Sequence, residues 1–351
     1  RRGLVRLESR LFVPHLHRVL FKKYRPRLVI TPSTGYWQLD SYIIREAKAH
    51  GARTVAVITN WDHATCKGLG GAEPDYVVAW SQIMKEELVR GHDIAKEHIF
   101  VAGVPIFDHY FRSNGIESRE SFFQRLGLDP ERKLIFFPAA IMKEWPNPQI
   151  GRTIAQAIKE KEFPYPCQLL IRLHPGYFAQ NNRKAQWVDE QLKDLQMLAK
   201  GYSEVAINTP RILSQRLSSD MNRSEMGAMA NILTHSDVVV CMFSTLNVEA
   251  SIINRPVINI GFLPEGGHAA NNFYSVERAK ERTHNQRLIA SGAAPLVESE
   301  AQLLDTINFY LRHPEEDAKA RRHLVEQECG PSDGHAGERV GQHILSLLRE
   351  A

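Results

Sequence analysis

The chain has 351 residues, 43% of them hydrophobic and 24% charged, with 44 basic against 40 acidic side chains for a net charge of +4. Such a composition excludes wholesale disorder, a collagen-like fibre and a multi-span membrane protein, and the length suits two domains of roughly 150 residues. A charge so near neutral gives no argument for nucleic acid as a partner. No apolar run approaches the roughly 18 residues of a spanning helix. Cys66, Cys167, Cys241 and Cys329 are far apart and form no C-x-x-C pair. That spacing predicts neither a disulfide framework nor a zinc site and fits a reducing cytoplasm.

The basic excess is concentrated at the start. Arg1, Arg2, Arg6, Arg10, Arg18, Lys22, Lys23, Arg25 and Arg27 face one acid, Glu8. Residues 1–27 therefore carry nine less one, or +8, and the rest of the chain −4. Leu4, Leu7, Leu11, Leu16, Val19 and Leu20 recur near helical spacing, with a break at Pro14. The pattern is a basic amphipathic helix, expected to meet an anionic membrane surface or an anionic acceptor unless its basic face is simply solvated.

Strands and helices then alternate. Leu28 to Thr31, Thr54 to Thr59, Tyr76 to Trp80 and His98 to Ala102 read as strands, with helices over Trp37 to His50 and Gln82 to Gly91. Short apolar runs separated by helices predict a parallel sheet covered on both faces. A complete unit of this kind starts with a strand and a glycine turn. Here a helix comes first and the chain opens on arginine, so the first domain is expected to lack residues upstream.

Arg112 to Arg132 is polar and reads as a connection, with a helix around Phe122 and Phe123. A second alternation follows, with strands at Leu134 to Phe137, Gln168 to Leu173, Val205 to Asn208, Val238 to Met242 and Val257 to Ile260. Helices are predicted over Ile150 to Lys161, Trp187 to Lys200, Ser224 to Thr234 and Thr245 to Ile253. The last third is helical over Glu300 to Arg312, Glu315 to Glu328 and Ala336 to Arg349. The expected fold is α/β, two Rossmann-like doubly wound domains facing a cleft. They span residues 1–112 and 113–330, and the helix in 331–351 returns toward the first. Ligands should bind near the carboxyl ends of the strands.

Three segments carry candidate chemistry. In Ser236 to Ile260, strand, turn, helix and strand put Ser244 and Thr245 at a helix start suited to a phosphate or diphosphate. Glu249, one turn further, could hold a ribose diol. In Leu169 to Tyr177 a buried strand ends in Arg172, His174 and Pro175, a cation for phosphate and a histidine for the leaving diphosphate. Pro138, Ala139 and Ala140 after the preceding strand should line the same cleft. In Thr59 to Trp80, Asp62 or His63 is a candidate general base and Lys67 a cation, beside Gly68, Gly70 and Gly71. The glycines match neither a G-x-G-x-x-G nor a P-loop pattern, so a dinucleotide or ATP site finds no support. A polar loop around a structural tryptophan is the plainer alternative.

The "RLHPG" strand end and the "FSTLNVEA" turn resemble the GT-B glycosyltransferase superfamily. "HIFVAGVPIFDHYF" (His98 to Phe111) and "CGPSDGHAGERV" (Cys329 to Val340) look like motifs of CDP-glycerol glycerophosphotransferase-like and related surface-polysaccharide transferases. The resemblance spans residues 28 to 345. It implies that Ser244, Thr245 and Glu249 hold the donor's diphosphate and ribose, with Arg172 and His174 facing the diphosphate. It also implies that Asp62 and His63 face the acceptor, and that Asp333, Gly334 and Arg339 lie where the last helix returns to the first domain. Met242-Phe243-Ser244-Thr245 departs from the family's Asp-Tyr-Ser-Ser turn, which leaves a sugar donor as plausible as a polyol phosphate.

The function expected is therefore transfer of a sugar, or a polyol phosphate, from a nucleotide-activated donor to a hydroxyl acceptor in surface-polysaccharide synthesis. The acceptor would be a glycan or lipid-linked, and the enzyme cytoplasmic or peripheral on the inner face of a membrane. Neither a metal nor another cofactor is expected, nor nucleic acid. A nucleotide-sugar 2-epimerase-like enzyme and a non-enzymatic two-domain sugar-binding protein are the alternatives.

Overall fold

In the computed structural model, residues 2–36, 38–112, 115–143, 145–179, 185–212, 223–263 and 275–350 are described. Arg1 and Trp37, named above, lie outside them, as do Ser113 and Asn114 of the connection. The chain divides into two units, one formed by Arg1–Arg112 with Val325–Ala351 and the other by Ser113–Leu324.

In the first unit the elements run α1 (Arg2–Leu11), α2 (Arg18–Tyr24), β1 (Leu28–Thr31), α3 (Gln38–Ala49), β2 (Arg53–Val57), α4 (His63–Cys66), β3 (Tyr76–Ala79), α5 (Gln82–His92), β4 (Ile99–Val101) and α6 (Asp108–Phe111). The strands pair in parallel in the order β1-β2-β3-β4. Their β-branched residues suit a pleated surface buried on both sides, and Val55, Ala56, Val77 and Val78 are all buried. Ser81 caps α5 by accepting the Met84 N–H at 3.3 Å, and Asp93 ends it in the left-handed conformation with φ 54°. The strand expected to reach Thr59 stops at Val57, and Ile58 and Thr59 already belong to the turn.

Pro14 separates α1 from α2. Apolar residues along both helices and their junction are open to solvent: Leu4, Leu7, Leu11, Phe12, Leu16, Val19 and Leu20 are each more than half exposed. Among the described residues of the two helices and their junction, Phe21 alone is buried, against Ala47 and Ala52. The segment is tied down by polar contacts instead. Arg45 of α3 pairs with Glu8 at 3.0 Å, and the buried Glu46 accepts from the His17 backbone N–H at 2.8 Å.

The second unit runs α7 (Arg119–Leu126), β5 (Lys133–Ala139), α8 (Asn147–Lys159), β6 (Cys167–Leu173), α9 (Gln186–Gly201), β7 (Val205–Asn208), α10 (Arg223–His235), β8 (Val238–Cys241), α11 (Leu246–Ile252), β9 (Val257–Ile260), α12 (Val276–Glu281), α13 (Thr283–Ser291), β10 (Leu296–Val297) and α14 (Glu300–Arg312). Its six parallel strands take the order β10-β9-β8-β5-β6-β7. Phe137, Leu169, Ile171, Val240 and Ile258 of the sheet pack with Ile150 and Ile154 of α8 and Leu195 of α9 in one core. The pair α12 and α13 and the two-residue β10 were not anticipated.

Two helices close the chain, α15 (Ala318–Cys329) and α16 (Ala336–Arg349). The helix expected from Glu315 starts at Ala318. The division between the units falls within α15, at Val325. Val340 and Leu347 of α16 join Val55, Val78 and Ala102 in the core of the first unit. Both units are α/β with wholly parallel sheets, as the sequence predicts.

Candidate functional site

In the first unit, β1 turns through Pro32–Tyr36 and β2 through Ile58–Asp62 into α4. Both turns stand at the carboxyl edge of the sheet, where α/β proteins bind ligands. Ser33 Oγ donates to the Asp40 carboxylate and accepts the Gly35 N–H at 3.2 Å. Burial raises the Asp40 carboxyl above its ordinary range, against the opposing effect of that Ser33 hydrogen bond. The glycine-rich stretch folds over this turn. Gly71 N–H donates to the Gly35 carbonyl at 2.8 Å, and a Cβ on Gly70 would overlap the Thr34 carbonyl oxygen. Gly70 and Gly71 thus serve close backbone approach, whereas Gly68, at φ +75°, serves a left-handed turn.

His63 is the first residue of α4 and only 8% exposed. Tyr36 Oη stands 2.8 Å from its Nδ1 and 2.5 Å from its Nε2, with the two rings edge to face at 4.6 Å. Burial pushes the imidazole pKa down to about 4; Asp62 raises it and Lys67 lowers it. At neutral pH the ring is therefore uncharged and holds a lone pair. The buried Asp62 is committed differently, its Oδ2 3.1 Å from Lys67 Nζ. His63 is engaged by Tyr36 rather than by an ion pair, while Asp62 keeps its buried Oδ1 outside the Lys67 pair. Beside it opens a groove of about 690 Å³ lined by Phe12, Leu16, Tyr36, Tyr42, Arg45 and Leu69 among others.

In the second unit the strand order reverses between β8 and β5, and a doubly wound sheet opens its crevice at that switch point. It brings Pro138 and Ala139 beside the turn Met242-Phe243-Ser244-Thr245. Two buried asparagines shape that turn: Asn259 Oδ1 accepts the Phe243 N–H at 2.8 Å, and Asn247 Nδ2 donates to the Ser244 carbonyl at 3.0 Å. Ser244 Oγ accepts the Leu246 N–H at 3.3 Å, whereas Thr245, the cap residue of α11, makes no side-chain cap bond. Glu249 is half-buried on α11.

His174 follows β6. Its backbone N–H donates to the Ala139 carbonyl at 3.2 Å, and its Nδ1 accepts the Gly176 N–H at 2.9 Å. A neutral ring that accepts at Nδ1 carries its proton on Nε2, so His174 presents a donor. The ring has an exposed edge, yet the protein packed about it lowers its pKa to about 4. Arg172 differs from the expectation of a cation open to phosphate. It is 4% exposed, and its guanidinium is held by Glu225 at 2.5 Å and by Asn208. Glu225 and Asn208 lie 53 and 36 residues away, with no local sign of the pairing.

The segments 98–111 and 329–340 meet within the first unit. Asp108, the first residue of α6, accepts the N–H groups of Ala336 at 2.9 Å and Gly337 at 2.8 Å, capping α16 from far away in sequence. Arg339 holds Asp333 at 2.9 and 2.7 Å and donates from Nε to the Ala102 carbonyl at 2.8 Å. The Arg339 guanidinium, with the His335 N–H, keeps the Asp333 carboxyl down at about 2. Asp333 and Arg339 thus tie the last helix to the sheet. Among the described residues, no three His, Cys, Asp or Glu side chains converge where a metal ion could sit.

Residues 71–346 match the family described as CDP-Glycerol:Poly(glycerophosphate) glycerophosphotransferase. The chain belongs to this family. As a member it is a transferase that draws on a nucleotide-activated donor for surface-polymer synthesis. The match takes in the switch-point turn, His174 and both halves of the Asp108 junction, and begins just after His63.

Among solved structures the chain is similar to S. aureus MnaA with UDP, at 13% identity and a TM-score of 0.59 over 94% of this chain and 77% of that one. It is similar to the same degree, 13% and 0.59, to UDP-GlcNAc 2-epimerase of Neisseria meningitidis bound to UDP-GlcNAc, over 93% and 78% of the two chains. The wall teichoic acid polymerase TagF, soaked with CDPG, is similar at 16% identity and a TM-score of 0.51 over 79% of this chain and 57% of that one. Identities this low speak for the shared fold and leave activity to the family match. No curated protein matches the chain.

Proposed function

We propose that the donor is a CDP-activated polyol, with CDP-glycerol the first choice, and that its glycerol phosphate passes to a terminal hydroxyl of a polyol-phosphate or glycan acceptor. The acceptor oxygen attacks the phosphorus that bears glycerol, a phosphodiester forms, and the bond to the cytidine phosphate breaks to release CMP. His63 takes the acceptor proton on its ring lone pair. The charge on departing CMP is met by the Nε2–H of His174 and by the turn at Ser244, while Pro138, Ala139 and Glu249 line the nucleotide side. Arg172 braces the strand under His174, and Lys67 holds Asp62 beside the base. This reading needs no cofactor.

The observation that carries it is the family match over residues 71–346, which names the polyol phosphate rather than a sugar. Thermal unfolding with CMP, CDP, UDP, GDP and ADP tests it, since a ligand bound only to the native state raises apparent stability. CMP and CDP should raise the midpoint. A shift with UDP alone would favour a sugar donor or an epimerase, and none with any nucleotide would sink the donor assignment.

We also infer that residues 1–27 rest on an anionic membrane surface, which makes the enzyme peripheral on the cytoplasmic face and a lipid-linked acceptor accessible. The exposed apolar side chains of α1 and α2 and the local net charge of +8 support this. Among the described residues, no helix is long and apolar enough to cross a membrane.

A further inference from the structure

The groove of about 690 Å³ in the first unit is walled by two parts of the chain. Phe12, Pro14 and Leu16 come from the opening segment, and Tyr36, Tyr42 and Leu69 from the turn after β1, α3 and the glycine-rich stretch. Phe12, Leu16 and Leu69 are 66%, 64% and 61% exposed, so the fold leaves this apolar surface unfilled. The charge of the groove is settled internally. Among its described lining residues the charged ones are Glu8 and Arg45, which pair at 3.0 Å. Arg45 also donates from Nε to the Gly71 carbonyl at 3.0 Å and from Nη1 to the Phe12 carbonyl at 3.5 Å. A guanidinium so engaged has little left to offer a polyanionic chain, and the interior suits hydrocarbon instead.

Two neighbours say what kind of hydrocarbon. Phe12 and Leu16 belong to the same segment as Leu4, Leu7, Leu11 and Val19, all more than half exposed, and α2 adds exposed Arg18, Lys22 and Lys23. Such a face meets an anionic bilayer, so a chain can pass from the bilayer into the groove without crossing water. The groove also reaches Tyr36, whose Oη stands 2.8 Å from His63 Nδ1. We propose that the groove holds the head-proximal hydrocarbon chain of a lipid-linked acceptor, the chain entering past Phe12 and Leu16 and the head group leaving past Tyr36 toward His63. The proposal rests on the reading of the first unit as the acceptor side. The apolar walls would then fix how far from the membrane the acceptor hydroxyl is delivered, while the polar head makes its contacts elsewhere.

The first test needs no turnover. Calorimetric titration of the full chain with glycerol monoalkyl ethers, butyl to decyl and below their micellar concentrations, should show affinity rising by up to about fourfold per methylene and then levelling once the groove is full. Leu69→Asp and Phe12→Asp, at exposed positions on which the fold does not depend, should each weaken the longest ether by about tenfold or more. Leu4, Leu7 and Leu11 lie outside the groove, and replacing all three by Ser should leave ether binding in place. Affinity independent of chain length overturns the proposal, and so does an equal loss in the triple variant, which would make the contact a general property of the apolar surface. The second test compares transfer from CDP-glycerol to a lipid-linked acceptor and to the same head group cut free of its lipid. Leu69→Asp should raise the ratio of the two acceptor KM values by about tenfold or more. An unchanged ratio with weaker sedimentation on vesicles would mean that bilayer lipid fills the groove, and the proposal fails. If neither acceptor is extended, the transfer reading falls, while the ether series still decides whether the groove takes hydrocarbon.

Discussion

At the scale of single residues, the site is tuned by burial more than by neighbouring charge. His63 shows the consequence for stability. Its folded pKa of about 4 lies below the 6.5 of a free imidazole, so the unfolded chain takes the proton first as pH falls. The stability it supplies is full above about pH 6.5 and is lost progressively toward pH 4. Between pH 7.5 and pH 5 that loss is about 2 kcal/mol. Urea denaturation at the two pH values should show the wild type losing about that much more than His63→Gln. Equal losses in the two proteins would mean that the ring is not desolvated as described. His174 is left out of this accounting because solvent screens its exposed edge. Residue scale is also where sequence reading reached least far. Asp62, His63, His174 and Ser244 stood out as reactive types at strand ends. Tyr36, Asn247 and Asn259 did not, because their importance comes from a partner brought by the fold.

At the scale of elements, the longer strands were legible and the shorter pieces were not. Leu134–Phe137 and Leu169–Ile171 are unbroken apolar runs inside β5 and β6, the pattern expected of a doubly covered parallel strand. Leu296–Val297 is too short for any periodicity, and its pairing with β9 decides its state. Arg172 was read as an open cation because nothing near it foretells Glu225 on α10. The opening segment behaves in the opposite way, with a pattern plain in the sequence and, Phe21 apart, most of its described apolar side chains left exposed. Leu4 is 73% exposed and Val19 77%. Sedimentation with vesicles tests what they meet. Binding should be strong to vesicles containing anionic lipid, weak to zwitterionic ones, and reduced by salt, at about 1 kcal/mol per basic residue near the surface. Replacing Leu4, Leu7 and Leu11 by Ser should abolish it. Equal binding to both vesicle types would exclude an electrostatic membrane contact.

At the scale of the whole molecule, the chain makes its first unit from both of its ends. The second unit is continuous from Ser113 to Leu324, with its own core. Expressed alone, residues 113–324 should unfold cooperatively, whereas residues 1–112 alone should not, since Val55, Val78 and Ala102 lose the cover of Val340 and Leu347. Adding a peptide of residues 325–351 should restore a cooperative transition to the 1–112 fragment. Asp108→Ala should weaken that association by about tenfold or more, because two backbone N–H groups of α16 lose a charged acceptor. A fragment 1–112 as stable without the peptide as with it would refute this account. Both segments that join here stood out in the sequence as words, yet their purpose is legible only in the fold, since the partners are 228 and 229 residues apart.

The same arrangement has a consequence for biosynthesis. A ribosome that has completed residue 112 must add 213 more before it reaches Val325. At roughly 5 to 20 residues per second that takes roughly 10 to 40 s, during which the second unit can fold on the emerging chain. The first sheet waits through this interval with one apolar face uncovered. Its assembly must wait until α15 and α16 have been made, and that waiting face, rather than either finished unit, is where a chaperone would find its substrate.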